Sequence, residues 1–209
     1  MHIQHGFNRG STKARSGAAE ALPAAAATFY PAEAAIYAQG DKAGALYLVE
    51  FGTVRICSVT ADGRRQISAF HMAGEVFGFA SGMEHETYAE SVDGAGIRLI
   101  RQQAGIADLN ILNLALMSLG RVQNHLLLLG RRTAPEKMAA FLADLMERQG
   151  DERHIRLAMP RNDIADYLGL TFETVSRLLR SFKDQGVLRL KSIHEVEILD
   201  AARLEDMCA

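Results

Sequence analysis

The hydrophobic period of this chain changes near Gly105, and that change limits the possible folds more than any other feature. From about Tyr30 to Ile100, apolar residues come in short runs broken by turns, as in "AIYAQGD" and "GALYLVEFGTVRICSVTADGRRQISAF". From Gly105 to Arg132 they step by three or four residues, through Leu109, Leu112, Leu116, Leu119, Val122, Leu126 and Leu129. Side chains alternate across a strand and recur with the helical turn on a helix, so the first pattern predicts strands and the second a long helix. With 209 residues the chain is long enough to bury a core around both, and the class expected is α+β.

Within the β half, short strands with regularly placed turns argue for a sandwich or jelly roll over residues 29–104. Asp62-Gly63 is the strongest hairpin signal, read as a tight turn in which both residues take positive φ. "HMAGEVFGFASGM" adds closely spaced glycines, and "YAESVDGAGIRLIR" reads as a further strand pair. Residues 1–28 carry basic residues followed by alanines, interrupted by Glu20 and Pro23. They are expected to form a flexible N-terminal tail rather than a targeting segment. No apolar run reaches the roughly 18 residues that span a bilayer, so no membrane partner is expected.

The leucine stripe predicts a helix over residues 105–131. It fits a helix laid on its own core, or one that pairs with its twin in a homodimer; pairing is the sharper expectation. The step from Leu119 to Val122 departs from strict heptads, and the consecutive leucines of "HLLLLG" must serve both the barrel and a partner. Residues 132–209 then begin a new unit. Thr133 can cap the helix in "TAPEKMAAFLADLMERQG", Pro135 suits its first turn, and Gly150 ends it. "HIRLAM" reads as a strand, "PRNDIADYLGLTFETVSRLLRSF" as two helices meeting at Gly169, and "GVLRLKSIHEVEIL" as two strands around a Ser192–His194 turn. That order of elements is a winged helix-turn-helix.

On a helix starting near Thr171, Val175, Leu178, Leu179 and Phe182 share one face, while Glu173, Ser176, Arg177 and Arg180 share the other. Arg matches guanine O6 and N7 in the major groove, Glu accepts from a cytosine amine, and Ser serves either role. The bland alternative is a solvated face with a Glu173–Arg177 pair. Charge bears on the choice. The whole chain carries −2, yet Arg153–Lys191 holds eight Lys/Arg against four Asp/Glu, a basic patch that points weakly toward phosphates. The preceding helix with its glycine turn favours DNA reading.

"PRNDIADYLGLTFETVSRLLRSFKDQGVL" closely resembles the helix-turn-helix of Crp/Fnr-type transcription regulators. "GDKAGALYLVEFGTVRICSVTADGRRQISAFHMAGEVFGF" resembles their cyclic-nucleotide-binding-like domain. "YAQGD", "ADGRRQISAFHMAGEVFGF" and "IADYLGLTFETVSRLLRSFK" look most like the FixK branch. The resemblance runs from about Phe29 to Leu199. It implies a cytoplasmic homodimer that binds a palindrome with TTGAT-like half-sites, activates low-oxygen or nitrogen-fixation genes, and touches RNA polymerase. The family pattern E-x-x-S-R falls on Glu173, Ser176 and Arg177, with Arg177 on the guanine. Phe172 stands where the cyclic-AMP-responsive branch has Arg, which favours Fnr-type sequence preference and leaves the contribution of Phe172 open, an apolar contact with a thymine methyl being one option. Arg161, Thr171, Phe172, Thr174, Arg180 and Lys183 are candidates for backbone or auxiliary contacts, with Arg189 and Lys191 on the wing. By family analogy, barrel loops around Asp41–Ala45 and Arg64–Arg65 would meet the polymerase.

In the sensing relatives a Gly-Glu element is followed by an Arg-Ser or Arg-Thr pair. Here Gly74-Glu75 is present, but no Arg lies between Arg65 and Arg98 to pair with a cyclic phosphate. An iron–sulfur cluster needs four thiolates, and the chain has two cysteines, Cys57 and Cys208. Haem on His71, His85 or Cys57, and a thiol switch, are effector-gated alternatives without positive support. The expectation is therefore no cofactor and no metal. A cupin-like metal protein is the alternative of a different class, but its ligand set is incomplete. No phosphate loop or nucleophile triad argues for an enzyme. A winged-helix scaffold that binds another protein is a third class; in it Arg177 would be dispensable.

Overall fold

The computed structural model describes residues 26–100, 109–151 and 153–208. The expected tail over 1–28 lies outside the described residues up to position 25, and at its other end Thr28 already opens the first strand. Eight strands form the N-terminal half: β1 (Thr28–Tyr30), β2 (Ala35–Tyr37), β3 (Leu46–Phe51), β4 (Thr53–Val59), β5 (Arg65–Met72), β6 (Val76–Phe77), β7 (Tyr88–Ser91) and β8 (Ala95–Ile100). They make two four-stranded sheets, ordered β1-β8-β3-β6 and β2-β7-β4-β5, with antiparallel pairing throughout. This is a jelly roll. Its interior takes alternate residues from both sheets, including Val49, Phe77 and Ile97 from one and Val54, Ile56 and Ala89 from the other.

Two local expectations are corrected. The strands of "YAESVDGAGIRLIR" do not pair with each other: β7 lies beside β4 and β2, while β8 lies beside β3 and β1. The Val92–Gly94 link crosses between sheets, as a closed roll requires. The β4–β5 hairpin, in turn, uses a three-residue loop. Thr60 N–H donates to Arg64 O, Gly63 N–H donates to Thr60 O, and Gly63 takes φ +81 while Asp62 keeps negative φ. A turn closed by a glycine bulge needs only one left-handed residue, so Asp62 is released to accept from Thr60 Oγ1 and Arg64 Nε.

The helical half follows the predicted order. Helix α1 (Leu109–Leu129) is the long helix, and its expected start over 105–108 lies outside the described residues. Helix α2 (Ala134–Gln149) is capped by Thr133, whose hydroxyl accepts from Glu136 N–H, and ends at left-handed Gly150. Strand β9 (His154–Arg156), α3 (Arg161–Leu168), α4 (Phe172–Asp184), β10 (Leu188–Leu190) and β11 (Glu195–Ile198) complete the winged helix, its sheet ordered β10-β11-β9. A short α5 (Ala201–Asp206), absent from the sequence reading, caps the chain on Asp200 and buries Leu204.

The main apolar core crosses what the sequence presents as a domain boundary. Cys57, Ile67 and Phe70 of the barrel join Met138, Phe141 and Leu142 of α2, Ile164 and Leu168 of α3, and Val175, Leu179 and Phe182 of α4. These barrel residues lie on the outer face of the β2-β7-β4-β5 sheet, whose inner face serves the roll. The winged helix therefore shares a core with its own barrel.

Candidate DNA-binding interface

Helix α3 closes at Gly169, which takes φ +63 in open space, and Leu170 N–H returns to Ala165 O at 2.9 Å. Only a residue at ease in left-handed backbone makes so short a link, and it sets the angle at which α4 departs. Thr171 then caps α4, its hydroxyl accepting from Thr174 N–H at 3.2 Å. Val175, Leu178, Leu179 and Phe182 are buried, as their spacing predicts. Glu173, Arg177, Arg180 and Lys183 are exposed, and Thr174 and Ser176 half-buried. No ion pair joins Glu173 to Arg177 among the described residues, so the solvated-pair alternative has no support. Phe172, at the first helical position, leaves 46% of its surface exposed.

Arg161, the first residue of α3, reaches across to α4, and its Nη1 donates to Ser176 Oγ at 3.4 Å. The wing is less free than its sequence suggests. Arg189 Nη1 donates to Glu197 Oε2 at 3.1 Å, and Lys191 Nζ lies 3.5 Å from the same oxygen and 3.2 Å from His154 Nε2. Arg156 is paired with Asp93 of the barrel at 2.8 Å. The basic patch read from the sequence is thus partly neutralised. Among the described residues, the cations without an acidic partner include Arg161, Arg177, Arg180 and Lys183, gathered on α4 and the start of α3.

Helix α1 presents Leu112, Leu116, Met117, Leu119, Val122, Leu126 and Leu127 to solvent. Its other side, with Ile111, Leu114 and Leu128, packs on the barrel and the main core. Leu129 is a correction to the expected pairing stripe: it is half-buried and packs inward. The side chain of Leu109 lies outside the described residues. In "HLLLLG", Leu126 and Leu127 face solvent and Leu128 faces the core.

The Gly-Glu element of the barrel is engaged within the protein itself. Glu75, of the Gly-Glu element, accepts from Arg148 Nε and Nη2 at 3.1 and 2.9 Å, and Arg121 Nε lies 3.5 Å away. Burial acts to raise its carboxyl, but His71 and the two guanidinium groups hold it down at about 2. Within the barrel, Tyr37 stacks on His85 at 3.7 Å and Tyr47 on Phe77 at 5.2 Å. Cys57 is buried under the winged helix with its thiol pushed up to about 11, first by burial, which makes it a poor redox switch. No group of three or more metal-ligating side chains occurs among the described residues.

Sequence reasoning missed a second set of charged residues. Arg55, the charged residue of β4, donates to Glu90 at 2.8 Å, to Glu33 at 2.5 Å and to Asp163 at 2.7 Å. Arg65 donates to Asp163 and, at 3.0 Å, to Asp166. It therefore faces α3, which corrects its expected place in a polymerase-facing loop; Arg64 stays outward. An arginine centred in a buried strand, with an acid on the inner side of a short helix, was the available signal.

A profile described as the Crp-like helix-turn-helix domain matches residues 136–207, and one described as the cyclic nucleotide-binding domain matches residues 27–93. The nitrogen fixation regulation protein FixK of Rhizobium meliloti is 43% identical over 187 residues, covering 89% of this chain and 88% of that protein. The FixK of Azorhizobium caulinodans is 39% identical over 218 residues, covering 94% and 88%. The structure of FixK2 from Bradyrhizobium japonicum superposes with a TM-score of 0.80 at 38% identity, covering 88% of this chain and 98% of that one. These relatives are regulators rather than enzymes, and no described helix is long and apolar enough to cross a membrane. A shared jelly roll, a shared winged helix and this identity over nearly the whole chain place it in one family: the chain belongs to the Crp/Fnr family of DNA-binding transcription regulators, with FixK proteins among its relatives.

Proposed function

We propose that this regulator binds as a homodimer to a TTGAT-type palindrome, without a cyclic nucleotide or an iron–sulfur cluster, and activates low-oxygen or nitrogen-fixation genes in the cytoplasm. The observation that carries the reading is the presence of two faces on one chain: the exposed apolar side of α1 and the exposed polar side of α4. An apolar face of that length is costly to leave in water, and a second copy of the same helix covers it with two-fold symmetry. Two α4 helices then enter successive major grooves about one duplex turn apart. Glu173, Ser176 and Arg177 read base edges, and Phe172 meets a thymine methyl. Arg161, Arg180, Lys183 and the Thr171–Thr174 end of α4 hold the phosphates, and Arg189 and Lys191 add to these once DNA competes with Glu197. RNA polymerase contacts fall on the barrel loops that include Asp41–Ala45 and Arg64.

Effector independence is supported by the chemistry around Glu75, whose carboxylate already holds Arg148 and Arg121. The test is an electrophoretic shift at fixed salt with aerobically purified protein and no added nucleotide. Wild type is expected to retard the palindromic duplex. Arg177→Ala is expected to lose roughly 1–3 kcal/mol and to relax choice at one base pair. Binding that requires cyclic AMP or the absence of oxygen overturns the effector-free reading. Binding indifferent to Arg177→Ala overturns the assignment of α4 as the reading helix.

A further inference from the structure

The barrel of this chain is bound to the winged helix by more than apolar contact. Asp163 sits in the first turn of α3 with its side chain 2% exposed. It receives Arg55 on Oδ2 and Arg65 on Oδ1, from two neighbouring strands of the barrel. Asp166, one turn further on, takes a second bond from Arg65 at 3.1 Å through Nε. The far side of Arg55 is closed by Glu90 and by Glu33. Glu33 holds φ +65, a conformation that a glutamate adopts only where its surroundings impose it. All three nitrogens of the buried Arg55 guanidinium thereby donate to a carboxylate. Burial would weaken its charge, but the bonds to Glu33, Glu90 and Asp163 more than offset that.

We propose that this cluster is a dock that fixes the angle of the helix-turn-helix on its barrel, and that Arg55, Arg65, Asp163 and Asp166 are positioning residues for recognition of two half-sites at one spacing. The proposal rests on the palindrome-binding dimer described above. Apolar contact between Phe70, Tyr167 and Phe141 is non-directional and would allow α3 to slide. Forked guanidinium–carboxylate bonds accept one geometry and penalise others, because a misplaced partner leaves a buried charge unpaired. The dock grips α3, and α3 carries α4 through the short Gly169 link. At the opposite side, Arg148 of α2 and Arg121 of α1 meet on Glu75, which ties the winged helix to the pairing helix through the barrel. The reading helix is thus referenced to the dimer axis at two points, with no ligand in the path.

Rigid presentation matters only when both half-sites are engaged, since it raises the effective concentration of the second reading helix at its site. That gives a test which a purely stabilising role does not satisfy. Affinities are measured at one salt concentration for three duplexes: the palindrome, the palindrome with its spacer lengthened by one base pair, and a single half-site. Lengthening by one pair rotates one half-site by about 34°. Arg65→Gln and Asp166→Asn, whose side chains are partly exposed, are expected to fold and to keep wild-type affinity for the single half-site. Their preference for the native over the lengthened spacer is expected to fall about tenfold, and Arg65→Lys is expected to restore part of it. Asp163→Asn should show the larger effect where thermal unfolding confirms a folded dimer; if it does not fold, the two milder variants decide. Unchanged spacing preference in folded variants overturns the dock alone. Wild-type protein that binds the palindrome no more tightly than the half-site overturns the dimer reading, and the dock with it.

Discussion

Among single residues, Ser176 shows how a neighbour settles a side chain that is ambiguous on its own. A serine hydroxyl donates or accepts, and the sequence alone left both open. Arg161 is a donor only, so its contact at 3.4 Å makes Ser176 Oγ an acceptor there and leaves the hydroxyl hydrogen for the groove. Ser176 is therefore expected to face a base acceptor such as thymine O4 or guanine O6 rather than the cytosine amine. A double-mutant cycle of Arg161→Gln and Ser176→Ala checks this. Coupling of at least roughly 0.5 kcal/mol, confined to one base pair, is expected. If Arg161 only touches phosphate, its loss instead weakens all sequences alike and lowers the salt slope by about 1, with no coupling. The exposed positions of Glu173 and Arg177 were legible because they follow from helical period. The bond between Arg161 and Ser176 was not, because it joins two helices whose crossing angle depends on Gly169.

For the elements, α1 carries the clearest consequence. Its pattern announced an amphipathic helix, but a stripe of leucines is satisfied equally by a barrel or by a partner. The structure assigns sides: Ile111, Leu114 and Leu128 to the chain itself, and Leu112, Leu116, Leu119, Val122 and Leu126 to solvent. Leu129 changed sides because it lies where α1 meets the main core. Leu116→Glu is expected to leave the fold intact, since that side chain is 55% exposed, and to convert the protein to monomer in sedimentation. Palindrome affinity should then drop toward that of a half-site. A variant that remains dimeric and binds normally removes α1 as the pairing element. The β hairpins were harder to read in detail. Asp62-Gly63 marks a turn correctly, but loop length follows from the pairing of Val59 with Arg65, which the dipeptide does not encode.

Across the whole molecule, barrel, long helix and winged helix are joined through a shared core and two clusters of buried charge. Buried titratable groups make stability depend on pH. Burial holds the His71 and His125 imidazoles below their usual range in the folded chain. Unfolding lets them bind protons below about pH 6.5, and stability falls as pH drops. Glu75 adds to this at lower pH. Its carboxyl is held at about 2 against an ordinary value of 4.5, so its contribution is complete above pH 4.5 and lost between there and about pH 2. That contribution is on the order of 3 kcal/mol. Denaturant midpoints measured from pH 8 to pH 3 are expected to decline in two stages; a flat profile contradicts the assignment of buried histidines held below their usual range and an ionised Glu75. The sequence by itself determined the class of each half, the order of the winged helix and the split of α4 into a buried and an exposed face, because each follows from local period, caps and turn chemistry. Only the tertiary structure decided that β7 and β8 part into different sheets, that Glu75 serves Arg148 and Arg121, and that Arg55 and Arg65 grip Asp163. Arg55 and Asp163 stand 108 positions apart in the chain, and their contact exists only once the outer face of one sheet and the inner face of one helix have been brought together.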